Sequence, residues 1–172
     1  MTIATYFYLA ALIAIVASIS VVLSKKAVYA LLYLVLSLLA VAVCFYLLGA
    51  PFAAGLEVIV YAGAILVLFV FAMMMFGLTH DETQYNPDHR GKLMWFGPTL
   101  LSSLLLLLLL NVIFNAEMHE KLTSHIVTPQ QVGALLYGPY LLAVELASFL
   151  LLAGLIASYH YAKPDVIGEK YD

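Results

Sequence analysis

Residues 52–78 read FAAGLEVIVYAGAILVLFVFAMMMFGL, and Glu57 is the one charged side chain in this stretch. As a helix, the stretch would rise about 40 Å at 1.5 Å per residue. The hydrocarbon core of a bilayer is roughly 30 Å thick, so a helix of this length can cross it with some tilt. The stretch therefore predicts a membrane-spanning helix.

Four similar apolar runs flank this one. With it they cover about 3–23, 27–50, 52–78, 93–115 and 138–161. The chain has 7 basic and 10 acidic residues, and all of them except Glu57 and Glu145 lie between or beyond these runs. A break at Gly49-Ala50-Pro51 separates the second run from the third. The pattern predicts an all-α integral membrane protein with five transmembrane helices, and we treat residues 1–172 as one membrane domain.

The composition excludes several classes of protein. The chain is 65% hydrophobic and 10% charged, with a mean hydropathy of +1.06, against about 45–50% apolar and 25% charged in soluble domains. A net charge of −3 leaves no basic surface for nucleic acid. The single cysteine, Cys44, excludes an internal disulfide and an iron–sulfur centre held by this chain alone.

The basic residues predict the orientation in the membrane. With the N-terminus outside, in the periplasm, every Lys and Arg except Lys121 falls on the cytoplasmic side, as does the C-terminus. The first run is longer than the apolar region of a signal peptide and lacks a basic start, so we expect it to remain as a span. Thr128 followed by Pro129 is typical of a helix start and predicts a short surface helix at about 129–137.

Glu57 and Glu145 are the two carboxylates left inside the apolar runs. A charged carboxylate at the bilayer centre costs about 3 kcal/mol on insertion scales, and such residues usually face a protein interior or a water-filled path. Each lies five residues into its predicted helix, counted from Phe52 and Tyr140. In the predicted topology both therefore lie at similar depth in the outer half of the membrane.

The neighbours of Glu57 favour a proton path. Tyr61 follows at i+4, on the same face of an α-helix, and can give its hydroxyl to a carboxylate or a water chain. Tyr61-Ala62-Gly63-Ala64 has little side-chain bulk and tolerates an irregular turn such as a π-bulge. An apolar wall that includes Val67 and Phe71 follows. The alternative is a glutamate that is hydrogen-bonded for structural reasons, with the glycine serving packing alone.

Glu145 leaves two interpretations open. Ser148 lies at i+3, and Ala143 with Ala147 forms a small-xxx-small pair typical of a packing face for a partner helix. A proton-path role and a structural pairing role are both compatible with this pattern. No predicted membrane helix carries two histidines, and no motif of a catalytic centre is present.

Three segments resemble one known family. Residues 56–71, LEVIVYAGAILVLFVF, are similar to the signature third helix of subunit J of bacterial respiratory complex I, the counterpart of mitochondrial chain 6. Residues 30–34, ALLYL, and 137–148, YGPYLLAVELAS, also match that family. The similarity covers all five predicted spans, and the third-helix motif is its most specific part.

The resemblance implies a subunit of proton-translocating NADH:quinone oxidoreductase in the bacterial inner (plasma) membrane. It implies no cofactor on this chain, with NADH, FMN, iron–sulfur clusters and quinone bound elsewhere in the complex. The implied partners are the lipid bilayer and the membrane subunits K, A, H and N of the complex, of which K and A are small and N is antiporter-like.

The resemblance also implies roles for individual residues. In the family, the third helix can switch between an α-helical turn and a π-bulge, which opens and closes a water connection. By position, the switch maps to Tyr61, Gly63 and Val67, and its carboxylate maps to Glu57. The acidic position of the fifth helix maps to Glu145, with a less settled role.

Two other functions stay open from the residues alone. One is a small stand-alone ion transporter, against which the lack of an internal repeat argues. The other is a structural membrane scaffold in which Glu57 and Tyr61 only pack. Whether a bulge is present at rest, and which partner residues face the two carboxylates, does not follow from the sequence.

Overall fold

A computed structural model describes residues 3–24, 26–75, 90–114 and 126–162. The helices are α1 (Ile3–Leu23), α2 (Ala27–Leu47), α3 (Pro51–Met75), α4 (Arg90–Phe114), α5 (Pro129–Leu136) and α6 (Leu141–Ala162). Residues 79–89 and 116–125 of the two predicted loops, and the tail after Ala162, lie outside the described residues.

The described residues confirm an all-helical chain with five long apolar helices. Stretches long and apolar enough to cross a membrane are Ile3–Leu23, Ala27–Leu47, Pro51–Met75, Trp95–Phe114 and Leu141–Tyr161. Their order follows that of the predicted runs. The second ends at Leu47 and the third begins at Pro51, because the backbone turns between them.

That turn, residues 48–51, is the α2–α3 corner. Gly49 has a φ of 82°, a left-handed conformation that side chains disfavour. The Gly49 N–H donates to the Tyr46 carbonyl and the Ala50 N–H to the Phe45 carbonyl, both at 3.1 Å. This is the Schellman pattern that satisfies the last carbonyls of a helix. Pro51 then starts α3 at a position where a missing N–H costs nothing.

The chain divides into two compact units, residues 1–128 and 129–172. In the first unit, α1 packs closely on α2 through small side chains, among which Ala10, Ala17 and Ala40 are fully buried. The Ser37 hydroxyl donates to the Ala14 carbonyl at 3.2 Å across this interface. Small residues permit such close approach between membrane helices.

Helix α4 adds one stripe to the same core. Leu105, Leu108 and Val112 are buried at the spacing of a single helix face. Of the seven leucines at 104–110, Leu105 and Leu108 therefore face the core, whereas Leu104, Leu106, Leu107 and Leu110 are exposed within the chain. At the other end of α4, Trp95 meets Tyr29 edge-on with ring centroids 6.0 Å apart.

The second unit consists of α5, a turn and α6. The Tyr140 N–H donates to the Leu135 carbonyl at 3.1 Å, which closes the turn before α6. A side chain at Gly138 would meet the Ala134 carbonyl at 2.7 Å, so the turn requires glycine there. None of the described side chains of α6 is buried within the chain. The place of α5 at the membrane surface stays a prediction.

Candidate functional site

Helix α3 changes its backbone geometry in the middle. Pro51–Leu56 and Leu66–Met75 are α-helical, and Glu57–Ile65 between them is a π-helix, the π segment hereafter. At its end the Leu66 N–H donates to the Tyr61 carbonyl, five residues back. In an α-helix each N–H donates four residues back. The π segment thus holds one more residue in each hydrogen-bonded turn than the α-helix on either side.

Gly63 fits this geometry for a steric reason. A Cβ at residue 63 would lie 3.2 Å from the Val58 carbonyl oxygen, tighter than ordinary van der Waals contact. Val58 is five residues before Gly63, which is the spacing of a π-type hydrogen bond. A larger residue would push this carbonyl away. The glycine therefore permits the close turn that the π segment contains.

Glu57 is the first residue of the π segment. Its backbone N–H still donates to the Ala53 carbonyl, four residues back, so the carboxylate lies where the α geometry ends. The side chain is half-buried. Within the described part of the chain, no hydrogen bond joins the Glu57 carboxylate to the Tyr61 hydroxyl. The i+4 pairing expected for an α-helix is absent between them.

Tyr61, Gly63 and Val67 lie on the outer side of the first unit. Tyr61 is 52% exposed and Val67 is 59% exposed. Tyr61 and Gly63 belong to the π segment, whereas Val67 lies two residues beyond it, in the α-helix that follows. The three residues share one helix, and their exposure leaves them accessible to water, lipid or another chain.

An apolar groove runs beside the start of the π segment. Its volume is about 380 Å³. Val58 lines it from α3, next to Glu57, and the other walls come from α2 and α4, including Val43 and Val112. The sequence did not single out Val58, because a valine among apolar residues carries no signal of its own.

Glu145 lies in a regular α-helix within the second unit. Its residue is exposed within this chain. The Ser148 hydroxyl donates to the backbone carbonyl of Glu145 at 2.7 Å, and not to the carboxylate. Glu57 and Glu145 belong to different compact units of the chain.

Metal-binding potential is low in the described part of the chain. No group of three or more His, Cys, Asp or Glu residues there could hold a metal ion. Cys44 is a free thiol in α2. That this chain binds no cofactor stays a prediction.

Known proteins share extensive similarity with this chain. A family profile for NADH-ubiquinone/plastoquinone oxidoreductase chain 6 matches residues 17–160. The chain is 44% identical over 163 residues to NADH-quinone oxidoreductase subunit J of Escherichia coli. The aligned region covers 95% of this chain and 88% of the relative. The chain is 46% identical over 159 residues to the Pseudomonas aeruginosa subunit of the same name, covering 92% and 96%. The matches extend across all five spans.

Proposed function

This chain belongs to the NADH-ubiquinone/plastoquinone oxidoreductase chain 6 family, and on that premise we propose that it couples quinone reduction to proton translocation through α3. The complex to which it belongs is an oxidoreductase. The chain acts there as a membrane-arm subunit without a redox centre of its own. NADH, FMN, the iron–sulfur clusters and quinone are bound by other subunits.

The observation that carries this proposal is the π segment. Single π turns inside α-helices occur frequently at functional sites. Conversion of the π segment to α-helix would change the register by one residue, which corresponds to a rotation of about 100° and a shift of about 1.5 Å between its two flanks. Such a rotation moves Val67 and its apolar neighbours relative to Glu57. Water continuity near Glu57 then depends on the state of the helix.

Glu57 is the proton-carrying group in this proposal. Its half-buried carboxylate lies at the junction of α and π geometry, next to Val58 on the apolar groove. Tyr61 is the second polar group on the same segment and supplies a hydroxyl for a water chain. Glu145 has a supporting role, in proton transfer or in pairing with another subunit.

The proposed setting is the bacterial inner membrane. We place the N-terminus in the periplasm and the C-terminus in the cytoplasm, because this orientation puts all basic residues but Lys121 in the cytoplasm. The neighbours are the membrane subunits K, A, H and N of the complex. The unburied side chains of α6 suit packing against such neighbours or lipid.

Gly63→Leu in the assembled complex tests the proposal. The new side chain would clash with the Val58 carbonyl and block the π segment, so we expect both NADH-driven proton translocation and quinone reduction to fall. The measurement is proton uptake and NADH oxidation in membrane vesicles. Gly133→Leu is the matched control, because a side chain at Gly133 meets nothing within 4 Å and this glycine lies in the short helix α5, outside the long apolar helices.

Two outcomes would replace the proposal. Normal assembly of Gly63→Leu with full proton stoichiometry would favour the structural scaffold. Proton or cation flux through the purified chain alone, in liposomes, would favour the stand-alone ion transporter.

A further inference from the structure

Helices α2 and α4 meet through aromatic side chains near the point where both helices begin. The rings of Tyr29 and Trp95 are edge-on, with centroids 6.0 Å apart. One turn further along α2, the Tyr33 hydroxyl occupies the space that a side chain at Gly97 would need, so the Tyr33 ring lies against the α4 backbone. These two contacts hold the starts of α2 and α4 side by side.

The Tyr29–Trp95 pair lies at one edge of the membrane-spanning stretches. Tyr29 is the third residue of the Ala27–Leu47 span, and Trp95 is the first residue of the Trp95–Phe114 span. Tyrosine and tryptophan are enriched at the membrane–water interface, where their rings lie at the level of the headgroups. Trp95 is more than half exposed within the chain, so lipid can reach one side of the pair.

A lysine precedes each member of this aromatic pair by three residues. Lys26 is the N-cap of α2 and Tyr29 follows it at the third helical position, which lies over the N-cap. Lys92 is three residues before Trp95 within α4, on the same helix face. Three residues correspond to about 4.5 Å along a helix axis. Both lysine positions therefore flank one inter-helix contact, on its side away from the apolar spans.

The basic residues at this edge are Lys25, Lys26, Arg90 and Lys92. A basic excess on the cytoplasmic side accounts for the orientation of the chain. Orientation alone does not require these residues to share a face with a contacting aromatic pair. Basic positions between neighbouring membrane helices on the cytoplasmic side are typical of sites for anionic lipid headgroups.

An exposed apolar path continues from Lys92 along α4. Phe96 and Leu100 follow Lys92 at i+4 and i+8, on the same face of the helix. Both side chains are more than half exposed within the chain. The sequence of a basic residue, an interfacial aromatic ring and apolar side chains matches the order of headgroup, interface and acyl chain in a phospholipid.

We propose that the starts of α2 and α4 bind one anionic phospholipid of the cytoplasmic leaflet. Its phosphate lies between the positions of Lys26 and Lys92, and an acyl chain follows Phe96 and Leu100. The choice of leaflet follows from the proposed orientation. The inference goes beyond the proposed function, because it assigns a lipid site at α2 and α4 and does not require the π segment to change state.

Photocrosslinking with a labelled lipid in the intact complex tests this site. The complex is reconstituted into phosphatidylcholine vesicles that contain a small fraction of phosphatidylglycerol with a photoreactive diazirine on its acyl chain. Phosphatidylcholine with the same diazirine chain is the matched probe. After irradiation, mass spectrometry identifies the modified peptides. We expect the anionic probe to label residues 95–100 more strongly than the neutral probe, by on the order of tenfold.

Replacement of the two lysines tests the headgroup contact. In the double variant Lys26→Gln with Lys92→Gln, we expect labelling by the anionic probe to fall by on the order of tenfold, since each basic residue near the surface attracts anionic lipid. The Lys26 side chain does not cap α2, so the helix start does not depend on it. Arginine at both positions keeps the charge and should keep the labelling.

Lys163→Gln is the matched control, because it removes a lysine from the same predicted side of the membrane in the second unit. Labelling of residues 95–100 should not change in this variant. NADH oxidation by each reconstituted complex checks that assembly is normal.

Four outcomes would overturn the site. Equal labelling by both probes would show ordinary boundary lipid without headgroup recognition. No labelling of residues 95–100 by either probe would show that another subunit covers this face. Displacement of the anionic probe by inorganic phosphate would assign the site to free phosphate. Unchanged labelling in the double glutamine variant would show that the lysines do not hold the headgroup. None of these outcomes bears on Gly63→Leu, so the proposed function stands or falls separately.

Discussion

The helices around Glu57 and Glu145 differ in their backbones, although each carries one carboxylate in an apolar span. Glu57 begins a π segment, and its surroundings change from α to π geometry within one residue. Glu145 lies in an uninterrupted α-helix, Leu141–Ala162. A carboxylate in an apolar span thus does not by itself determine the backbone geometry around it, which is π at Glu57 and α at Glu145.

The glycines of the two helices explain part of this difference. A side chain at Gly63 would crowd the Val58 carbonyl at 3.2 Å, whereas one at Gly154 meets nothing within 4 Å. A side chain at residue 63 would need the Val58 carbonyl to move by a few tenths of an ångström, so the π geometry favours glycine there. Gly154 serves no such purpose within this chain, which fits the interpretation of its helix as a surface for packing.

Replacement of each carboxylate by an amide should give the largest difference in proton translocation between the two helices. Glu57→Gln removes the ionisable group and keeps its shape, so we expect proton translocation to slow by on the order of 100-fold, the lower end of what a positioned proton-transfer group contributes. Glu145→Gln should have a smaller effect. Proton uptake by membrane vesicles during NADH oxidation measures both. A larger loss in Glu145→Gln would reverse the assignment of the two helices.

Replacement of Gly63 or Gly154 by alanine should give a difference in coupled turnover of intermediate size. Gly63→Ala crowds the Val58 carbonyl in the π geometry and so favours the α-helix, with a bias of about 1 kcal/mol, the usual size of a single-substitution effect. That bias corresponds to roughly a fivefold change in the ratio of the two helix states, and we expect coupled turnover to fall by a similar factor. Gly154→Ala adds the same methyl group without the crowding, so it should leave NADH-driven proton uptake near the original rate. Equal behaviour of the two variants would remove the special role of Gly63.

Removal of the Ser148 hydroxyl should give the smallest effect. The hydroxyl bonds the Glu145 backbone carbonyl, which already belongs to a regular helix, so Ser148→Ala should change stability by at most about 1 kcal/mol. Ser103→Ala is a matched control, because the Ser103 hydroxyl makes the same kind of bond to the Leu100 carbonyl at 2.9 Å. Thermal dissociation of the complex on native gels measures both. A marked loss of pumping in Ser148→Ala alone would tie Glu145 to the proton path.

The positions of the charged residues predict the membrane-spanning helices for two reasons. The bilayer thickness sets how long an apolar run must be, and a charged side chain within the bilayer is costly at any position in the sequence. The same principle identified Glu57 and Glu145 as exceptions. Gly49-Ala50-Pro51 was readable as a break, since glycine and proline have strong local preferences. These features follow from short-range chemistry, which a single sequence contains.

The extent of the π segment could not be read in the same way. Residues around Tyr61 are apolar on all faces, so no polar stripe reports whether the turn holds 3.6 residues or more. The expected pairing of Glu57 with Tyr61 assumed α geometry, and the structure has π geometry between them. A backbone hydrogen bond of 3.0 Å from the Val127 N–H to the Gly49 carbonyl joins residues far apart in sequence, and no local pattern indicates it.

The close packing of α1 on α2 bears on how the protein reaches its membrane. Three residues separate these helices, and both partners of the Ser37–Ala14 bond and the fully buried alanines lie within this pair. The two helices can therefore associate as a hairpin as soon as both have left the ribosome and entered the bilayer.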